Sequence, residues 1–99
     1  ALGISRDDYN SFMPDYTLYD ILDGNPFQIL NQYVKELMVV AVNRGKLTRP
    51  NLKTGLCGEH GSLPENIRFC MDNGLDYVSC STYSVPIAKL AVAHINLGL

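Results

Sequence analysis

Two short apolar runs, each followed by the start of a helix, limit what this chain can fold into. The runs cover residues 52–57 and 75–81, and a longer helical pattern precedes the first of them. Strands that alternate with helices in this way pair in parallel. We therefore predict an α/β fold, in which residues 1–24 form an ordered loop excursion and residues 25–99 form an αβαβα unit.

Capping residues predict where the three helices begin and end. The start signals are Asn25 with Pro26, Ser62 with Glu65, and Ser84 with Pro86. The glycines that end the helices are Gly45, Gly74 and Gly98. Apolar residues on nearly every side of the first helix predict that it is covered on more than one face. Within the excursion, we expect a short helical turn near residues 17–22.

Two strands cannot make a stable parallel sheet, because each leaves an unpaired edge. The chain of 99 residues, 46% hydrophobic and 18% charged, has the size and composition of one globular domain. The natural inference is a piece of a larger β/α structure, and the Ala1 start leads us to expect that the chain begins inside a longer one. No apolar run is long enough for a transmembrane helix, and no signal peptide is visible.

The charge and the cysteine count exclude several classes of function. The net charge is −2, and the one loose basic group is Arg44, Lys46, Arg49 and Lys53. That group is more typical of a solvated helix end than of a phosphate or nucleic-acid surface. Three cysteines without a CxxC pair favour reduced thiols in a cytosol-like compartment over disulfides or a zinc site.

The strongest candidate site is the sequence CGEHG at residues 57–61. Cys57 ends the first strand, and the carboxyl ends of parallel strands are where chemistry is found in α/β folds. Its thiol could serve as a general acid, a base or a nucleophile, or it could be a buried small side chain. Glu59 and His60 could orient the thiol or bind a cation, or form an exposed loop pair. Such close spacing argues against a three-ligand metal site.

The remaining reactive side chains favour structural interpretations. Cys80, Cys70 and His94 are better explained by packing than by chemistry, although a nucleophilic pair of Cys57 with His94 is a third, weaker reading. Arg6 with Asp7 and Asp8 could contact phosphate or metal, but acidic pairs in loops more often form turns.

Three stretches make the chain similar to the end of the barrel domain of phosphoenolpyruvate (PEP)-utilising enzymes. They are SRDD with SFMPDY in 5–16, CGEHG at 57–61, and YVSCS with VPIA in 77–88. The similarity runs essentially end to end. The first stretch favours the pyruvate, phosphate dikinase branch over PEP synthase and over enzyme I of the sugar phosphotransferase system.

The resemblance implies the C-terminal part of a (β/α)₈ barrel that binds pyruvate or PEP with Mg²⁺. This chain would supply the loop after strand 6, then helix 6, strand 7, helix 7, strand 8 and helix 8, which is incomplete as a barrel. Enzymes of this branch convert ATP, phosphate and pyruvate into AMP, diphosphate and PEP. A phosphohistidine on a separate domain carries the phosphoryl group.

The resemblance also assigns roles to residues. It implies that Cys57 is the general acid/base that exchanges a proton with the methyl carbon of pyruvate or its enolate, with Glu59 and His60 as its supporting shell. Gly58 is a candidate for substrate contact. The magnesium ligands and substrate-binding arginines are implied upstream of residue 1, so no metal ligand is expected here. The expected partners are the rest of the barrel, the nucleotide and phosphohistidine domains, and pyruvate or PEP, but neither nucleic acid nor membrane. The sequence leaves open whether the chain forms a homo-oligomer.

Several positions depart from the family pattern. Ser62 and Leu63 replace a Gly–acidic pair, and Thr82 and Ser84 replace a proline and an arginine. The leading reading is a dikinase fragment, inactive alone, in the cytoplasm or in an organelle reached by a targeting segment outside this chain. The alternatives are a decayed copy and a non-enzymatic module that docks through the apolar helix 27–42. Detecting the mass of the cellular protein would separate a true start at residue 1 from a fragment.

Overall fold

The computed structural model describes residues 3–5 and 7–99, and helices and strands alternate through its larger part. The helices are α1 (Met13–Leu18), α2 (Gln32–Thr48), α3 (Pro64–Asp72) and α4 (Val85–Asn96). The strands are β1 (Gly55–Leu56) and β2 (Tyr77–Val78), and 3₁₀ helices cover Tyr9–Ser11, Glu59–Ser62 and Thr82–Ser84. None of the helices in these two ranges is long and apolar enough to cross a membrane.

The two strands form a parallel pair, as the alternation of strands and helices predicted. Gly55 lies opposite Tyr77, and Leu56 lies opposite Val78. The strands are shorter than the predicted runs 52–57 and 75–81. The flanking groups still bond across the pair, because the Asp76 N–H donates to the Thr54 carbonyl (2.7 Å) and the Ser79 N–H donates to the Leu56 carbonyl (2.8 Å). The described residues therefore hold a two-stranded sheet and do not test the rest of a barrel.

The core lies between α3 and α4, on the side of the sheet that these helices cover. Ile67 of α3 packs with Ala88 and Ala91 of α4, and Val78 and Cys80 lie against this cluster. The turn that leads into α3 also packs against α4. The core thus fixes both segments that follow the carboxyl ends of the strands.

Helix α2 was predicted incorrectly at both ends. Asn25 does not cap it; the Asn25 side chain accepts a hydrogen bond from the Phe27 N–H (2.9 Å) and closes a local turn. The cap is Asn31, whose side chain accepts from the Val34 N–H (2.9 Å). Gly45 does not end the helix, because it lies in the helix interior where a Cβ would come within 2.8 Å of Leu52. The helix ends at Thr48, before the extended residue that precedes Pro50.

Part of the coverage predicted for α2 is not supplied by the described residues. Val42 is buried, but Leu37 and Leu47 are 70% and 83% exposed, and Tyr33 is 69% exposed. The described residues therefore leave part of the apolar surface of α2 exposed, although Val34, Met38 and Val39 are half-buried.

Two other helix starts differ from the sequence prediction. The Ser62 hydroxyl donates to the Glu59 carbonyl (2.7 Å) instead of capping α3, which begins at Pro64 after Leu63 without a side-chain cap. The helical turn expected near residues 17–22 lies earlier in the chain, at α1. The backbone leaves the helical conformation by Asp20, whose φ is +54°. The ends at Gly74 and Gly98 were predicted correctly, and both have the positive φ that favours glycine.

A carboxylate locks the register of the two strands and makes their pairing sensitive to acid. The Thr54 N–H donates to the Asp76 carboxylate (2.8 Å), and the Lys46 ammonium lies 3.6 Å from the same oxygen. The Thr54 backbone donor first, and then the Lys46 charge, lower the pKa of Asp76. A carboxylate whose pKa is lowered by folding stabilises the fold above its unfolded value, about 3.9, and loses that contribution as the pH falls through the lower folded value.

We expect Asp76→Asn to weaken the strand pairing at neutral pH and to make no difference in strong acid. Asparagine keeps the shape and an acceptor for Thr54 but lacks the charge. The measurement is hydrogen exchange of the amides in residues 54–56 and 77–79, compared between the wild-type chain and Asp76→Asn from pH 7 downward. A difference between them that stayed constant across the titration would contradict the assignment.

Candidate functional site

Cys57 lies at the carboxyl end of β1, the strand tip that the sequence predicted, and it is exposed. The next residue, Gly58, has φ +113° and ψ −171°, a conformation that is essentially restricted to glycine. It turns the chain directly into the 3₁₀ helix Glu59–Ser62, where the Gly61 N–H donates to the Gly58 carbonyl (3.0 Å). The thiol is thus presented at the strand end and not buried in the core.

The side chain of His60 makes a hydrogen bond to a distant segment of the chain. Its Nε2 lies 2.8 Å from the Pro26 carbonyl oxygen. Because a carbonyl only accepts, Nε2 carries the proton and donates it in this bond. The imidazole is half-buried, whereas the neighbouring Glu59 is exposed. The two side chains that follow Cys57 therefore have different surroundings, although they are adjacent in sequence.

Asn66 organises the backbone around His60, and sequence reasoning missed it. Its side chain is fully buried at 0% exposure. The amide nitrogen donates to the Gln28 carbonyl (2.8 Å) and to the His60 carbonyl (3.0 Å), and the amide oxygen accepts from the Leu30 N–H (3.3 Å). The available signal was position: Asn66 adjoins Ile67 on the side of α3 that turns inward.

Gly61 fixes the other side of the turn against the second strand. It is buried, and a Cβ built there would lie 2.3 Å from the Ser79 carbonyl oxygen. A backbone atom cannot move aside as a flexible side chain does, so only glycine fits this contact. The turn after Cys57 is therefore held next to the carboxyl end of β2.

An open cleft of about 630 Å³ lies beside this turn. Glu59 and Gln28 line it together with Asp7 and Tyr9, and the Tyr9 ring stacks on Phe27 with centroids 4.5 Å apart. The cleft brings Asp7 of the SRDD stretch and the Tyr9 that follows it close to the CGEHG turn. Cys57 is not among the residues that line it.

Ser5, Asp7 and Asp8 take part in turns, the interpretation that the sequence favoured for the acidic pair. The Asp7 N–H donates to the Ser5 hydroxyl (3.2 Å), and the Ser11 hydroxyl donates to the Asp8 carbonyl (2.7 Å). Arg6, which could contact phosphate, lies outside the described residues.

The other two cysteines and His94 do not join the site. Cys70 is buried in α3, and that burial raises the pKa of its thiol, which keeps it protonated and inert. Cys80 is partly buried against the core cluster of Ile67, Ala88 and Ala91. His94 lies in the last turn of α4 and lines a groove with Arg68 and Leu99. The positions of Cys70 and Cys80 agree with the packing roles expected from the sequence, whereas His94 is exposed and is not packed in the core.

The described residues of this segment do not form a metal site. Within residues 3–5 and 7–99, no three His, Cys, Asp or Glu side chains gather closely enough to hold a metal ion. Cys57, Glu59 and His60 share one turn without converging as ligands.

A protein-family model described as PEP-utilising enzyme, PEP-binding domain, matches residues 1–97. The chain belongs to this family. It is 67% identical over 97 residues to a pyruvate, phosphate dikinase of Treponema pallidum (strain Nichols), which covers 98% of the chain and 11% of that protein. It is 51% identical over 96 residues to pyruvate, phosphate dikinase 2 of Zea mays, and 49% identical over 99 residues to pyruvate, phosphate dikinase of Rhizobium meliloti (strain 1021).

The chain is similar to a small part of each of these dikinases. It covers 96% to 99% of its own length in the three comparisons but 11% of each relative. The match to this PEP-binding family confirms the resemblance drawn from SRDD, CGEHG and YVSCS. The activity named for the relatives belongs to chains about nine times as long, so for this segment it is a proposal.

Proposed function

We propose that this chain is the end of the PEP/pyruvate-binding barrel of a pyruvate, phosphate dikinase, and that Cys57 is its general acid/base. The observation that carries the proposal is the exposed thiol at the carboxyl end of β1, where Gly58 turns the chain away from it. In barrels of alternating strands and helices, the catalytic groups come from this end of the strands.

The proposed chemistry is one proton transfer. In one direction, the Cys57 S–H bond breaks and its proton joins the methylene carbon of the pyruvate enolate, which gives pyruvate and a thiolate. In the other direction, the thiolate takes a proton from the methyl carbon and leaves the enolate, whose oxygen then accepts a phosphoryl group in the complete enzyme. A positioned general acid or base typically raises the rate of such a transfer by about 10²- to 10⁴-fold.

The remaining parts of the reaction are assigned to other segments. The proposed magnesium would stabilise the enolate oxygen in the complete enzyme, with ligands outside residues 1–99. The rest of the barrel, the substrate-binding arginines, and the nucleotide and phosphohistidine domains are the proposed partners. Glu59 and His60 support the turn that carries the thiol, and Gly58 adjoins the substrate without a side chain to block it.

We expect the isolated 99-residue chain to leave pyruvate unchanged, because one thiol cannot stabilise an enolate without the groups assigned elsewhere. The measurement is incorporation of solvent deuterium into the pyruvate methyl group, followed by NMR. The positive control is a full-length dikinase that ends in this segment, either the natural polypeptide or the Treponema pallidum protein carrying residues 1–97 in place of its own; we refer to it as the complete dikinase. Exchange by the isolated chain at the rate of the control would overturn this proposal.

One observation favours a second candidate, a non-enzymatic module that docks through its apolar helix. The exposed Leu37 and Leu47 on α2 are large apolar side chains of the kind that a partner buries. The sequence predicted this helix at residues 27–42, and in the structure it is α2, at residues 32–48. A discrete oligomer of the isolated chain in sedimentation, with no response to pyruvate, would favour the module over the barrel segment.

A further inference from the structure

We propose that His60 is a positioning residue that fixes the Cys57 thiol through its bond to the Pro26 carbonyl, and that it does not carry the proton itself. The inference rests on the proposed function, because it assigns the second side chain of that same site. It concerns a bond of 2.8 Å between Nε2 and the Pro26 oxygen, which joins residues 34 positions apart.

The thiol has few direct constraints of its own. On its N-terminal side the sheet holds the chain as far as the Leu56 carbonyl, which accepts from Ser79. On its C-terminal side Gly58 has no atom within 4 Å of the place where a Cβ would lie. After Cys57, His60 and Gly61 both contact other segments, the first at Pro26 and the second at Ser79. The position of the thiol depends on where those two residues are held.

His60 is attached to residues 26–30 directly through its ring and indirectly through Asn66. Its ring donates to the Pro26 carbonyl, and its own carbonyl accepts from Asn66, which also donates to the Gln28 carbonyl. The same Asn66 accepts from the Leu30 N–H. We call this arrangement of His60 and Asn66 on residues 26–30 the His60 clamp. Loss of the ring leaves the Asn66 contacts but frees one of the two attachments.

The bond also occupies one of the two imidazole nitrogens of His60. Nε2 already carries its proton and directs it at the Pro26 oxygen, so this nitrogen has no lone pair with which to accept a proton from a substrate. A side chain that anchors a turn this way affects the rate through geometry. A displacement of the reacting group by about 1 Å can lower a rate about 10²-fold.

The test replaces His60 in the complete dikinase by glutamine and by leucine. Glutamine can donate to the Pro26 carbonyl, whereas leucine fills space without a donor. We expect His60→Leu to lower kcat for deuterium exchange into pyruvate by roughly 10- to 100-fold, by misplacement of the thiol. We expect His60→Gln to restore most of that loss. The KM for pyruvate and both limbs of the pH–rate profile should be unchanged in each variant.

Four results would overturn the inference. The first is a wild-type kcat in His60→Leu, and the second is a failure of His60→Gln to restore activity together with the loss of one limb of the pH–rate profile. The third is a raised KM for pyruvate as the main effect of His60→Leu. The fourth is an equal loss of the ATP-dependent half-reaction in His60→Leu together with a lower Tm. The first removes the positioning role, the second makes His60 a proton carrier, the third makes it a substrate ligand, and the fourth makes the bond merely structural.

Two further measurements keep the test decisive. If His60→Leu does not fold, His60→Asn takes its place, because its amide is too short to reach the Pro26 carbonyl. Hydrogen exchange should then rise in residues 57–61 and stay unchanged in 77–81. Cys57→Ser, assayed in parallel, separates the two proposals: if exchange survives that change, the role of Cys57 fails, whereas a silent His60→Leu beside an inactive Cys57→Ser overturns the His60 inference alone.

Discussion

Replacing Cys57 by serine in the complete dikinase is expected to lower the exchange of pyruvate methyl protons with solvent by about 10²- to 10⁴-fold, the contribution of a positioned general acid/base. Serine has nearly the same shape, but a hydroxyl gives up its proton far less readily than a thiol. Cys57 is exposed, so the change removes no packing. The measurement is deuterium uptake by NMR, beside the ATP-dependent half-reaction, which should be unaffected because its proposed site lies in another domain.

Cys80→Ser is the matched control for this experiment. It makes the same substitution after the other strand, at a residue that is half-buried against the core cluster and has no assigned chemistry. We expect it to retain exchange within about threefold, with a modest loss of stability from the buried hydroxyl. Unchanged exchange in Cys57→Ser, or an equal loss in Cys80→Ser, would remove the proposed role from Cys57.

The parallel strand order was predictable because it follows from local patterns. Each strand precedes a helix, and a connection of that kind returns the chain parallel to its start. The helix ends at Gly74 and Gly98 were predictable for the same reason, since a positive φ is a property of one residue. These features depend on few residues, all close in sequence.

The helix starts were less predictable because two asparagines competed for the same role. Asn25 and Asn31 both have the side chain of a cap, and the sequence favoured Asn25 because Pro26 follows it. In the structure, the Leu30 N–H bonds to Asn66, which lies 36 positions away. That distant bond holds residues 26–30 as a turn and postpones the helix to Asn31. No local pattern contains this information.

The candidate site also has one part that follows from local sequence and another that depends on contacts between distant segments. The position of Cys57 at a strand tip followed from the apolar run and Gly58, which are local, whereas its exposure was left open by the sequence. The bond from His60 to Pro26 could not be predicted, because it joins residues 34 positions apart. The bonds of Asn66 to Leu30 and Gln28 could not be predicted for the same reason, since they span 36 and 38 positions. The third bond of Asn66, to the His60 carbonyl, is local but belongs to the same arrangement. The role of His60 therefore changed from a general support to a defined attachment.

The second large effect concerns Asn66. Replacing it by leucine should lower the free energy of local opening of α3 by about 3 kcal/mol, because the Leu30 N–H, the Gln28 carbonyl and the His60 carbonyl each lose a buried partner, at a cost of roughly 1–3 kcal/mol per group. Leucine has a similar volume, so the effect reports hydrogen bonds and not a cavity. Native-state hydrogen exchange of residues 64–72 in the complete dikinase measures it.

Asn73→Leu is the control, because it makes the same substitution at the end of the same helix. Asn73 is half-buried and donates one hydrogen bond, to the Phe69 carbonyl of its own helix (2.8 Å). We expect that change to cost about 1 kcal/mol, the net value of one such bond. Equal effects at the two positions would contradict the central place given to Asn66.

Aspartate at position 66 tests which end of the amide matters. Asn66→Asp keeps an oxygen that can accept from the Leu30 N–H, but when ionised it directs a carboxylate at the Gln28 and His60 carbonyls. Only its protonated form has a donor for them, so burial beside two carbonyl oxygens disfavours the charge. We expect Asn66→Asp to be least destabilising in acid and to lose stability as the pH rises, whereas Asn66→Leu shows no such trend. If the aspartate variant were equally destabilised at every pH, the two bonds that Asn66 donates would contribute little to the His60 clamp, which would then rest on the Leu30 bond and on the bond from His60 to Pro26.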